Sequence, residues 1–227
     1  MNIIYMDHHA TTPIEPEVLD AMMPYLTEHF GNASSNTHIY GHIARRAVED
    51  AREKVAKLLG ARSTDEIIFT SGATESDNLA IKGIAYQQKK GHIITIPIEH
   101  KAVLDTCKRL EKEGFSVSYA HVDKYGIVDL EHLKSLIRPD TILITIQAAN
   151  SEIGTLQPID EISKIANENH IPFHTDAVQL LGKEEINVDQ SQISMLSVSG
   201  HKMYGPKGIG ALYVKKGVRL KPIIDGG

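Results

Sequence analysis

The residue with the most pointed chemistry is Lys202, which closes the run Met195-Leu-Ser-Val-Ser-Gly-His-Lys202 and opens the stretch Met203-Tyr-Gly-Pro-Lys-Gly-Ile-Gly210. An apolar strand running into Ser199, Gly200, His201 and Lys202 puts an amine at a strand's carboxyl end, where ligands gather in open α/β sheets. Burial there lowers the amine's pKa and favours the neutral form, which attacks an aldehyde to give an imine. Taken alone, such a lysine is a solvated side chain at the start of a turn, and only its companions change that reading. Pro172-Phe-His-Thr-Asp-Ala-Val-Gln179 is a second short apolar strand that ends on an acid. A buried Asp176 carboxylate beside a pyridinium nitrogen keeps that nitrogen protonated and lets the ring accept electrons from a carbanion, whereas its plainer duty is to cap the next helix. Gln179 is spaced to donate to a phenolic oxygen of the same ring.

Two further segments complete the constellation. Ile67-Ile-Phe-Thr-Ser-Gly-Ala-Thr-Glu-Ser-Asp-Asn78 reads as a strand, a small-residue turn and a helix beginning near Glu75. Ser71, Gly72, Ala73 and Thr74 bring backbone N–H groups and a hydroxyl to the positive end of that helix, where a phosphate binds favourably. The glycine spacing is neither that of a Walker loop nor that of the dinucleotide fingerprint. His100, in Pro97-Ile-Glu-His-Lys101, follows another strand and is placed to stack on a planar ring or to shuttle a proton. By itself it is a hydrogen-bonded surface histidine.

The elements that must hold these residues alternate between short apolar segments and longer amphipathic ones, which means an α/β fold. Strands are predicted over Glu66–Thr70, His92–Pro97, Ser116–His121, Thr141–Gln147, Pro172–Thr175, Met195–Ser199 and Gly210–Val214, most of them in one mainly parallel, buried sheet. Helices are predicted over Pro16–Leu26, His38–Leu59, Glu75–Lys89, Lys101–Lys112, Asp129–Ile137 and Ile159–Asn169, completing three α/β/α layers. In the second helix Ala47, Ala51, Val55, Leu58 and Leu59 make the expected inward stripe, with Gly60 as C-cap; Asp129 is the expected N-cap of the fifth.

Composition narrows the partners. A chain of 227 residues suits one good-sized domain. With 24 Lys+Arg against 29 Asp+Glu, a net charge of -5 and no long basic run, nucleic acid is not an expected partner. Apolar runs such as Thr141–Ile146 are strand-length, and no basic segment followed by an apolar one opens the chain, so no membrane is expected and the protein reads as soluble and cytoplasmic. The single cysteine, Cys107, excludes an internal disulfide framework and a cysteine-based metal cluster, which suits a reducing compartment; no metal is expected at the site.

In this order, the Ser-Gly-Ala-Thr-Glu-Ser-Asp-Asn turn, the Glu-His pair, Asp-Ala-Val-Gln and Ser-Gly-His-Lys resemble the cysteine desulfurase family of fold-type-I, class-V-aminotransferase-like enzymes that use pyridoxal 5'-phosphate (PLP). The resemblance spans the chain through Asp7-His-His-Ala-Thr-Thr-Pro13, Phe30-Gly-Asn-Ala-Ser-Ser35, Glu152-Ile-Gly-Thr-Leu-Gln-Pro158 and Gly205-Pro-Lys-Gly-Ile-Gly210. It implies the large domain of the PLP-dependent transferase fold over 15–227. It also implies an N-terminal segment, 1–14, that packs on a small domain absent here and is loosely held without it. Lys202 would hold PLP covalently, Asp176 would pair with its ring nitrogen, Gln179 would contact its phenolic oxygen, and His100 would stack on the ring and help move protons. Ala73, Thr74, Ser199 and His201 match the family's phosphate-binding positions. Ser151 stands where the family usually has an asparagine contacting the ring oxygen, and serine keeps a donor with shorter reach. The implied reaction takes L-cysteine to L-alanine and enzyme-bound sulfur, for iron–sulfur cluster assembly or another sulfur-transfer pathway. The implied assembly is a homodimer meeting a sulfur-acceptor or scaffold protein.

Family members are longer, and their catalytic cysteine loop is expected beyond Gly227; Cys107 falls outside any matching motif and does not replace it. Other readings stay open at this stage: a non-catalytic PLP-binding or scaffold remnant, half of a split enzyme, or a related PLP enzyme such as a selenocysteine lyase or β-lyase. A remote one is a metal-dependent phosphoesterase suggested by Asp7-His8-His9.

Overall fold

A computed structural model describes residues 3–226; Met1, Asn2 and Gly227, at the outer ends of the expected segments 1–14 and 15–227, lie outside the described residues. Its centre is one sheet of seven strands, β1 (Ile67–Thr70), β2 (His92–Thr95), β3 (Ser116–Tyr119), β4 (Thr141–Thr145), β5 (Phe173–Asp176), β6 (Met195–Ser199) and β7 (Gly210–Val214), in the order β1-β7-β6-β5-β4-β2-β3. The pairings are parallel except for the two that β7 makes, which are antiparallel to β1 and to β6. Six helices accompany the sheet: α1 (Pro16–Thr27), α2 (Ile39–Leu59), α3 (Ala73–Gln88), α4 (Lys101–Lys112), α5 (Leu130–Ser135) and α6 (Ile159–Glu168).

Strands β2, β5 and β6 are buried at every position because both faces are covered, whereas β3 at the sheet's edge is only partly buried. Ile93, Leu143, Met195 and Leu212 point into a cluster with Ile81 of α3 and Val103 and Leu110 of α4. Their neighbours Ile94, Ile144, Leu196 and Tyr213 point the other way, into a cluster with Leu59 of α2, Leu133 of α5 and Ile162 of α6. That two-residue alternation builds the three layers expected from the sequence. Burial of each large aliphatic side chain here contributes about 1.5–3 kcal/mol. No helix among the described residues is long and apolar enough to cross a membrane.

Two expectations about helices are corrected. The inward row of α2 is Gly41, Ala44, Val55, Ala56 and Leu59, while Ala51 and Leu58 face solvent. The row turns because Arg52 lies inward, its guanidinium 5.0 Å from the Phe69 ring centroid and donating to the Ile67 carbonyl. Helix α3 begins at Ala73, two residues before the expected start, after Gly72 at a φ of 152° that L side chains rarely adopt. Glu75 reaches back to the Ser71 amide at 2.7 Å and so closes the first turn earlier. The caps at Gly60 (φ 72°) and at Asp129, whose Oδ1 accepts from Glu131 and His132 at 3.0 Å each, form as expected.

Candidate active site at the carboxyl ends of the strands

The carboxyl ends of β1, β2, β4, β5 and β6 open on one cleft of about 670 Å³, and all nine residues singled out from the sequence line it. Asp176 ends β5; Ser199 ends β6 and runs into the 3-10 turn Gly200–Lys202, which delivers His201 and Lys202. The turn after β1 supplies Ala73 and Thr74, the connection after β2 supplies His100, that after β4 supplies Ser151, and Gln179 follows β5. Strand β7 binds these parts together, since Gly210 is in register with both Thr70 and Ser199. A Cβ on Gly210 would lie 2.7 Å from the Gly72 Cα and 2.7 Å from the Val198 carbonyl oxygen, so glycine lets the phosphate-type turn sit against the lysine strand.

The first turn of α3 offers unspent donors: the amides of Ala73 and Thr74 find no acceptor among the described residues. Glu75 spends one carboxylate oxygen on Ser71 N and Oγ (2.7 and 2.6 Å), and those bonds hold its pKa below the usual carboxylate value. His100 caps α4, its Nδ1 accepting from Ala102 N at 3.1 Å, which leaves the proton of the neutral ring on Nε2. Asp176 accepts from Val178 N at 3.0 Å in a local turn rather than at a helix start. Burial raises its pKa, opposed by that amide and by the charges of His100 and Lys202. Lys202 is shifted the other way: burial lowers its pKa, the Asp176 charge opposes the shift, and Lys183 adds to it. An acid and an amine thus share one cleft, each pushed by burial toward neutrality and each drawn back by the other.

Beneath Asp176 lie buried groups that sequence reading did not single out. Glu99, 6 % exposed, accepts from Gln147 N at 2.7 Å through Oε1 while Oε2 has no partner. Burial holds its pKa well above the carboxylate norm. Asp77 on α3 and His174 on β5 are fully buried with Nε2 and Oδ1 3.6 Å apart. Burial, reinforced by the Asp176 charge, raises Asp77, and burial alone lowers His174 to about 3. The His174 ring bonds to hydroxyls on both sides, Thr145 Oγ1 at 2.8 Å and Ser197 Oγ at 2.9 Å. Hydroxyls at both nitrogens satisfy a neutral imidazole.

The N-terminal segment enters the cleft. The Lys202 amine and the Gln179 amide (3.0 Å) both donate to the His9 carbonyl, and His9 Nδ1 lies 3.0 Å from the Ser151 carbonyl oxygen. Within the segment expected to be loosely held, Thr11 and Thr12 bond to His201 and Tyr204, whereas Ile3, Ile4 and Met6 are largely exposed. Gln179 therefore spends one of its two amide N–H donors on protein backbone. His9, Gln147 and Lys207 also line the cleft and were missed. Lys207 lies in a glycine-rich run already noted, and His9 in a motif noted for the family resemblance and, remotely, as a metal site, without a role in the cleft. Among the described residues no group of three or more His, Cys, Asp or Glu is placed to hold a metal ion, and Asp7 accepts from Ala10 N.

Comparison with known proteins places this geometry. The aminotransferase class-V family profile matches residues 4–227. A probable mitochondrial cysteine desulfurase of Dictyostelium discoideum is 58% identical over 228 residues, covering 99% of this chain and 50% of that protein. The cysteine desulfurase IscS of Dictyoglomus turgidum is 56% identical, covering 99% and 57%. The chain thus spans about half the length of the curated relatives it matches. Among solved structures, SspA in complex with cysteine superposes with a TM-score of 0.95 at 49% identity, covering 98% of this chain and 65% of that one. A NifS-like protein superposes with a TM-score of 0.95 at 45% identity, covering 99% and 62%. A family match over nearly the whole chain and a shared fold at this identity lead to one assignment: the chain belongs to the class-V aminotransferase family.

Proposed function

We propose that this chain forms the PLP-binding floor of a cysteine desulfurase acting on L-cysteine. The observation that carries the reading is the convergence on one cleft of the Lys202 amine, the Asp176 carboxylate and the unspent amides that begin α3. Those residues fit the cofactor: among the described residues the amides of Ala73 and Thr74 find no acceptor and are free for a phosphate, and the Asp176 carboxylate accepts from Val178 N alone. The substrate class is supported by the similar structure of SspA in complex with cysteine.

Bound PLP supplies an electron sink for negative charge at the substrate's α-carbon. In this reading Lys202 would hold the cofactor and its amine would carry the substrate's α-proton; burial lowers its pKa, which favours the neutral amine a base needs. Asp176 would keep a proton on the ring nitrogen, and His100, whose Nδ1 is taken by Ala102 N, would have Nε2 left for proton transfer. Ser199 and His201 would hold the phosphate with Ala73 and Thr74, and Ser151, whose Oγ donates to Glu152 Oε1 at 3.5 Å, would offer its hydroxyl to the ring oxygen. The thiol that takes up sulfur is not Cys107, which is fully buried and pushed up to about 12 by burial. A thiol other than Cys107 would do that work.

The test is direct. Addition of PLP gives a visible absorption band, and borohydride fixes one adduct on Lys202 that is lost in Lys202→Ala. Alanine released from L-cysteine, with a small-molecule thiol as sulfur acceptor, then reports the chemistry. An adduct on another lysine, or none, refutes the proposal.

A further inference from the structure

The motif Asp7-His-His-Ala-Thr-Thr-Pro13 is not used by the chemistry assigned above, yet three of its residues bond to the loop that carries Lys202. Thr12 is buried, at 7 % exposure. Its backbone N (2.9 Å) and its Oγ1 (3.1 Å) both donate to the His201 carbonyl, the oxygen of the peptide whose nitrogen belongs to Lys202. The same hydroxyl oxygen accepts from Tyr204 N at 2.8 Å. Tyr204 has a φ of 61°, a left-handed conformation that a tyrosine keeps only where its surroundings fix it. Thr11 Oγ1 lies 3.1 Å from His201 Nδ1, and the His9 carbonyl receives the Lys202 amine. One short strap thus holds the peptide before the lysine, the turn after it, the neighbouring histidine and the amine itself.

We propose that Thr12 is a positioning residue for Lys202. By donating to the His201 carbonyl and accepting from the Tyr204 amide, its single hydroxyl fixes the peptide from which the lysine side chain springs. The amine's place in the cleft beside Asp176 follows from that anchor. This rests on Lys202 being the cofactor lysine. Reactive groups lose rate steeply when displaced by about 1 Å, so an anchor outside the chemistry controls it through geometry.

The experiment measures how fast cofactor-free protein captures PLP, by growth of the visible band and by borohydride-trapped mass on Lys202, from pH 6 to 10. Wild type is compared with Thr12→Val, Thr12→Ala and Thr12→Ser, each checked for a cooperative urea transition. Thr12→Val keeps the shape without the hydroxyl and should capture about tenfold more slowly or worse. Its pH midpoint should move upward as the amine leaves its partly buried position. Thr12→Ser keeps the hydroxyl and should stay within about twofold of wild type. Should Thr12→Val not fold, Thr12→Ala, which leaves the backbone bond to His201 in place, carries the same comparison. Capture by the folded Val or Ala variant at the wild-type rate and midpoint overturns the proposal, as does a Ser variant as slow as the Ala one. Wild type without a Lys202 adduct would instead remove the cofactor reading itself.

Discussion

Glu99 offers the sharpest physical test of the site's floor. Its Oε1 accepts from Gln147 N, its Oε2 has no partner, and burial raises its pKa well above the usual carboxylate value. In the unfolded chain a glutamic acid releases its proton near pH ~4.3. The folded state keeps that proton to higher pH, so between the two values the native state binds more protons than the unfolded state. Stability must therefore fall as pH rises, by about 1.4 kcal/mol per pH unit for this group, starting near pH ~4.3 and continuing until the folded acid ionises. Glu99→Gln removes the titration and keeps the acceptor for Gln147 N. Its amide places donors where Oε2 has none to meet, a penalty of about 1–3 kcal/mol that does not vary with pH. Urea unfolding of cofactor-free wild type and Glu99→Gln at pH 5, 6 and 7 isolates the slope from that offset. The variant should gain on wild type as pH rises, by at most about 1.4 kcal/mol per unit and only while the folded acid keeps its proton. Parallel stability curves would mean that Glu99 is ionised in the fold and that the burial argument is wrong.

Three further outcomes are expected. Asp176→Asn removes the charge meant for the ring nitrogen and should weaken PLP retention by roughly 10–150-fold, the value of a hydrogen bond to a charged group, read by equilibrium dialysis. Cys107 should react with a thiol-specific reagent only on unfolding, and Cys107→Ala should leave PLP capture unchanged, because the thiol is buried and its pKa is pushed up to about 12. Asp129→Ala should lower stability by ~1 kcal/mol through the lost cap on α5, with no effect on capture.

The strands were legible because a sheet buried on both faces leaves near-continuous apolar runs such as Ile93-Ile94 and Leu143-Ile144, and their type needed no tertiary knowledge. Lys202, Asp176 and His100 were legible because each follows such a run, where chain direction alone puts them on one edge. What failed was local reading that ignored partners. The stripe of α2 was drawn from apolar letters, and Arg52 took an inward place through its stem and its contact with Phe69. The start of α3 moved because a side chain, Glu75, supplied a cap that propensity does not reveal. His9 was invisible as a cleft residue because it contributes a backbone carbonyl, which any residue carries. Asp77 sits in the polar run Thr74-Glu-Ser-Asp-Asn78 and His174 between Phe173 and Thr175, so their full burial declares itself only once α3 is laid across the sheet.

The place of β7 in the sheet has a temporal consequence. Strand β1, which carries the phosphate-type turn, pairs among the described strands only with β7, a segment made some 140 residues later. During synthesis β2 through β6 can zip side by side as they emerge from the ribosome, while residues 67–70 have no edge to join until 210–214 arrive between them and β6. The nascent chain therefore matures its binding competence last and all at once, when a single late hairpin brings the two ends of the sheet's sequence together.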